Sequence, residues 1–248
     1  MSSVKLITLI AVFFFTSLIS VVTGSTSLIT VPVMITMGIE AHAAIATNML
    51  ALTLMSAGGS LPFFGKGVIS RSYLPVSIVV TIIGSILGAV LLVSVPVKAL
   101  RFVIAIAMFA VACFSLLHEK AELASHSPSR VAIVGGYAAT FALGVYGGFF
   151  SGGYVTLLTS TFVVLFGMSL LQAVATTKVV NVFSSGVAAL VFLWRGLVDV
   201  KLGMVLGIAM FFGALLGGRL TLSIGKVWLR RIFVVAVLGL AVRMLWPG

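Results

Sequence analysis

Lys178 stands inside an apolar run, Leu170 to Trp194, and its neighbours in the chain are almost all uncharged. An ammonium at such a depth is costly, and where it is kept it faces a cavity or a partner. The chemistry it offers is attraction of an anion. Asn181 follows about one turn later on the same helical face and can place an amide in the same pocket. The competing reading is snorkelling, with the long stem reaching toward the nearer end of the run at Ser169.

Two stretches of small residues offer a complementary group. Thr23-Gly24-Ser25-Thr26-Ser27 and Gly147-Gly148-Phe149-Phe150-Ser151-Gly152-Gly153 each interrupt a long apolar run. A helix that restarts after a break exposes free backbone N–H groups and the positive end of its dipole, which together form an anion site. Gly24, Gly152 and Gly153 let a ligand approach the backbone, while Ser25, Thr26 and Thr156 supply hydroxyls. Small residues also pack helices together, and that reading suits the pairs Gly84/Gly88 and Gly213/Gly217 better. Thr47-Asn48 and Thr176-Thr177 open the apolar runs that follow the breaks and are expected to complete a shared polar pocket. A lone membrane threonine, by contrast, often bonds only its own helix.

The acids narrow the chemistry further. Glu40, Glu119, Glu122 and Asp199 are the four carboxylates, and all lie in turns, loops or a linker. No paired carboxylates, P-loop, metal-ligand cluster or nucleophile–base constellation can be found. Neither catalysis nor ATP hydrolysis is expected, and no cofactor or metal. The lone Cys113 leaves no disulfide frame.

The elements that must carry these residues follow from composition. The chain is 61% hydrophobic and 8% charged, with a mean hydropathy of +1.33, so a lipid bilayer is its expected partner. Its net charge of +11 sits mostly between apolar runs, as interfacial anchors do. No soluble surface exists to hold a nucleic-acid footprint. The expected fold is all-α and polytopic, with about eight apolar segments: Val4 to Met37, His42 to Phe64, Leu74 to Val95, Ala99 to Leu117, Val131 to Phe166, Leu170 to Trp194, Leu202 to Ile224 and Trp228 to Trp246. The first and fifth are too long for one straight crossing, and each is read as a broken helix.

The runs form two tandem repeats, residues 1–117 and 131–248, joined by a polar linker at 118–130. One ungapped register superposes the first on the second. It sets Gly24 on Gly153, Thr47 on Thr176, Gly84 on Gly213 and Arg101 on Arg230, while Met49 falls on Lys178. The first run has signal-peptide character, but it is the counterpart of residues 130–152 and is expected to be retained. Shared charges at Lys66/Arg195 and Arg101/Arg230 favour parallel repeats. If each break instead turns the chain back, each repeat gains an odd number of segments and the repeats are inverted. Membrane orientation stays open.

The duplicated break, the Pro32 and Thr161 regions behind it, and the AxAT pattern at Ala44 to Thr47 and Ala173 to Thr176 resemble the TauE/SafE family of sulfite exporters. The similarity covers essentially the whole chain. It implies a multi-pass protein of the bacterial plasma membrane that exports sulfite or a small organosulfur anion such as a sulfonate. A duplicated membrane unit that holds substrate between its halves is a common transporter plan, so alternating access is the expected mechanism. A passive anion channel and a non-catalytic subunit of a larger complex are the alternatives. A homo-oligomer is compatible with the chain.

Overall fold

A computed structural model describes residues 2–24, 26–117 and 127–220. Among these residues the secondary structure is helical, with no strand. The helices are α1 (Ser3–Thr23), α2 (Ser27–Thr36), α3 (Ala41–Ser60), α4 (Leu74–Ser94), α5 (Val97–Leu117), α6 (Arg130–Phe150), α7 (Tyr154–Phe166), α8 (Leu170–Trp194) and α9 (Val200–Leu220). Six are long and apolar enough to cross a membrane, and α2 and α7 are shorter apolar helices. Side-chain caps start several of them: Ser2, Glu40, Ser129 and Ser169 each accept a first-turn N–H. Large apolar residues such as Val79, Ile83, Phe102, Ile106 and Phe212 face outward, as a lipid solvent allows. Trp194 ends α8 in the open, with the Arg195 guanidinium 5.6 Å above its ring.

The two breaks turn out to be reversals. Gly24 adopts φ +73, a left-handed conformation that stops α1, and its N–H donates to Ser20 O at 2.7 Å. α2 then runs back along α1. Thr26 Oγ1 meets Ser20 Oγ at the closed end of this hairpin, and Lys5 Nζ donates to Met37 O at 2.9 Å at its open end. Gly153, at φ +81, does the same between α6 and α7. There the Tyr154 ring lies on Gly147, while Phe166 packs over Gly136 and Tyr137. With 10 and 13 residues, α2 and α7 are about 15 and 20 Å long and do not span a hydrocarbon core of about 30 Å. Within the described residues, the first seven expected runs thus give the helices α1 to α9, because the first and fifth hold two each. The eighth run, Trp228 to Trp246, lies outside the described residues, as does most of the linker.

The hairpins decide the direction of everything after them. Thr53 on α3 stands against Gly186 on α8, Ser56 against Asn181, and Gly59 against Lys178. One number rises as the other falls, so α3 and α8 are antiparallel. Segments matched by the internal register therefore run in opposite senses. The shared charges of Lys66 and Arg195 suggested the parallel arrangement, and here they fail as a guide. Interfacial basic residues suit either end of a helix, whereas a reversal inside each half flips the second half.

Packing also exchanges elements between the halves. α4 packs on α6 and α8, and α9 packs on α1 and α3. Glycines let these backbones approach: a Cβ at Gly88 would collide with Val145 O, and one at Gly213 would stand 2.5 Å from Phe14 O. Such close contact is how membrane helices associate without a hydrophobic driving force.

Candidate functional site

The two reversals meet. A Cβ placed on Gly24 would lie 2.8 Å from Thr156 Oγ1 and 2.9 Å from the Thr156 backbone nitrogen, and one placed on Gly152 would lie 2.5 Å from Leu28 Cδ2. Each hairpin tip therefore touches the first turn of the other half's short helix. The start of α7 follows Gly153 directly, so the positive end of its dipole is turned to this junction, where Tyr154 N–H donates to Ser151 O at 3.3 Å. Thr26 is buried and its Oγ1 donates to Met55 Sδ at 3.4 Å, which ties the tip to the middle of α3. Ser25 lies outside the described residues.

The short helices are held from behind by buried polar pairs. Asn48 Nδ2 donates to Ser27 Oγ at 2.9 Å, and Thr30 Oγ1 donates to Asn48 Oδ1 at 2.8 Å. In the other half Thr159 Oγ1 donates to Thr177 Oγ1 at 3.3 Å. Thr177 is the counterpart of Asn48 in the internal register, and Thr159 is that of Thr30. Each pair joins a short helix to the long helix after it. Both Asn48 and Thr177 are fully buried, so these bonds form without competition from water.

Thr47 and Thr176 do something different from what the sequence suggests. Thr47 Oγ1 accepts from the backbone N–H of Asp199 at 3.0 Å, and Thr176 Oγ1 accepts from that of Ser70 at 3.1 Å. Ser70 and Asp199 are themselves counterparts in the register and precede α4 and α9. Each threonine therefore fastens the loop of the opposite half at one end of the bundle, and the two do not reach the junction together. Their match in sequence reflects a shared joint.

Lys178 is 1% exposed. Its stem lies against Gly59 on α3, 3.7 Å from the position a Cβ would take there, so the side chain turns inward and does not snorkel. Among the described residues it faces no carboxylate, and the one ion pair joins His42 to Glu40 at the membrane edge. One turn on, Asn181 Nδ2 donates to Ser56 Oγ at 2.6 Å while its Oδ1 has no partner among the described residues. A buried, uncompensated cation beside an unsatisfied amide is an expensive arrangement. The chain neighbour of Lys178, Thr177, bonds to Thr159 on α7, while the Lys178 stem itself lies toward α3.

The sulfite exporter TauE/SafE family model matches residues 9–244. The chain belongs to the TauE/SafE family. It is 30% identical to the probable membrane transporter protein ORF9 of Sinorhizobium sp., over 94% of this chain and 89% of that one. It is 28% identical to the probable membrane transporter protein YfcA of Escherichia coli K12, over 97% and 91% of the two chains. A probable membrane transporter protein of Haemophilus influenzae shares 26% identity over 96% and 93%. No solved structure matches the chain. This TauE/SafE member is a multi-pass membrane protein, and its family and relatives are membrane transporters by name.

Sequence reasoning missed Ser56, Thr30 and a row of hydroxyls on α4. The row had a signal. Ser77, Thr81 and Ser85 recur at the spacing of one helical face, and their counterparts in the second half are Leu206, Met210 and Ala214.

Proposed function

We propose that this protein carries a small anion, sulfite or a sulfonate-like organosulfur anion, across the bacterial plasma membrane. The substrate binds where the two hairpin tips meet. The backbone N–H groups at the start of α7 and the hydroxyls of Thr26 and Thr156 line that point, and Lys178 supplies the balancing charge. Gly24, Gly152 and Gly153 keep the backbone open to the ligand. The observations that carry the reading are the buried Lys178, which faces no carboxylate among the described residues, and the two apposed helix breaks in the same bundle. An ammonium held at that depth without an anionic neighbour among the described residues favours an anionic neighbour from outside the protein.

The mechanism follows from the inverted order of matched segments. Two inverted repeats can rock against each other about a central site and expose it alternately to either face. Ser70, Asp199, Thr47 and Thr176 mark the joints where one half grips the other. A saturable flux with counterflow supports this carrier, whereas an ohmic current favours a passive anion channel.

The test is flux of sulfite, sulfate, thiosulfate, methanesulfonate and acetate into proteoliposomes that hold the purified chain. Saturable sulfite or sulfonate uptake is expected, and Lys178→Ala should lower it about a hundredfold, the worth of a charge-assisted contact of about 2–3 kcal/mol. Full activity in a folded Lys178→Ala protein would remove the anion site from this position.

A further inference from the structure

Ser77, Thr81 and Ser85 stand along one face of α4, and all three are fully buried. Ser85 Oγ donates to Gly144 O on α6 at 3.2 Å and lies 2.7 Å from Ser184 Oγ on α8. Because the carbonyl uses the Ser85 proton, Ser184 is the donor of that pair and its lone pairs are left over. Tyr154, the first residue of α7, brings its hydroxyl beside those of Thr81 and Ser184. The three hydroxyls are in range but poorly aligned with one another, and Tyr154 OH, Thr81 Oγ1 and Ser77 Oγ lack a well-formed hydrogen bond among the described residues. Three unmet hydroxyls at full burial form an unfavourable cluster unless something else meets them.

The scaffold does not require hydroxyls at these places. The matched positions in the other half are Leu206, Met210 and Ala214 on α9 and Met55 on α3, all buried and apolar. The shared scaffold therefore does not demand the hydroxyls on α4 and α8, and they sit at the base of α7, the helix that starts at the hairpin junction.

We propose that this cluster is an oxygen-recognition subsite, in which the hydroxyls of Thr81 and Tyr154 donate to the oxygen atoms of the transported oxyanion and so select it over a halide. This rests on the anion reading above. An oxyanion suits the place better than a cation, because the nearest buried charge on the same helix as Ser184 is the ammonium of Lys178 and no buried carboxylate accompanies it among the described residues. Neutral hydroxyls also bind weakly enough to release their ligand, which a carrier needs.

Initial rates of sulfite and methanesulfonate uptake, with chloride as competitor, test this in proteoliposomes of the full chain. Thr81→Val and Tyr154→Phe each remove one hydroxyl donor at nearly constant volume. Each is expected to lower oxyanion flux about tenfold, leave inhibition by chloride unchanged, and leave the thermal midpoint the same or higher. Thr81→Ser should restore the flux. Rates within about twofold of the parent in both variants would overturn the subsite, and so would parallel losses of flux, chloride inhibition and thermal stability. Lys178→Ala, run alongside, separates the two ideas. If it loses flux while the hydroxyl variants keep theirs, the subsite fails and the anion reading stands. If the parent protein carries no anion saturably, both fail.

Discussion

The two halves of this molecule agree where they are joined and disagree where they are lined. Thr47 and Thr176 fasten opposite loops with the same bond, Gly24 and Gly153 turn the chain with the same left-handed backbone, and Thr30 and Thr159 bind the following helix alike. The lining departs from this pattern. Ser77, Thr81 and Ser85 have Leu206, Met210 and Ala214 as counterparts, Ser184 has Met55, and Lys178 has Met49. An inverted pair must keep its joints because each joint is made once by each half. Nothing obliges it to keep the same lining, since in the proposed mechanism a single substrate meets both linings at one point. The difference separates what holds the fold from what the site requires.

The comparison can be broken most directly at a matched pair of close helix contacts. Gly84→Ala would set a Cβ 2.6 Å from Phe141 O, and Gly213→Ala would set one against Ser17 Oγ and 2.5 Å from Phe14 O. Both should destabilise by about 2–3 kcal/mol through overpacking, read as a drop in the denaturation midpoint in detergent. If one site tolerates alanine freely, the two contacts are not equivalent.

A smaller effect is expected at the threonine fasteners. Thr47→Val and Thr176→Val each leave a backbone N–H without its acceptor, which costs about 1–2 kcal/mol. The two fasten different loops and share no partner, so the double variant should show the sum. Clear non-additivity would mean that the two joints communicate through the hairpins, a finding of direct interest for rocking.

The smallest effect concerns two helix starts. Glu40 caps α3 and Ser169, its counterpart, caps α8. Partial burial pushes the Glu40 carboxyl upward, but hydrogen bonds from His42 and Ala43 outweigh it and hold the group below its ordinary range. A lowered folded pKa stabilises above the unfolded value and is lost as pH falls through the folded one. The thermal difference between the parent and Glu40→Gln should therefore be present at neutral pH and vanish once the pH drops beneath the ordinary carboxylate range. Ser169→Ala should show no such dependence. A difference that persists in acid would show that the cap works through its hydrogen-bond geometry alone.

Much of this was readable from residue order. The apolar runs, the breaks and the internal register are properties of composition and spacing, and the helices fall close to the expected bounds. The direction of the second half was not readable, because a glycine-rich interruption is compatible with a kink or a reversal. Contacts such as those of Lys5 with Met37 and of Gly136 with Phe166 distinguish them. Thr47 shows the same limit: its spacing marks it as special, while its partner is the distant Asp199.

By itself the sequence determined the solvent, the helices and the places where they stop, since hydropathy and glycine act within a few neighbouring residues. It also determined that Lys178 breaks the internal match. The tertiary structure decided that the two stops face each other, that matched threonines are joints, and that Lys178 turns inward beside Gly59. Those facts depend on which surfaces meet, and contact between segments far apart in the chain is set by packing of the whole bundle.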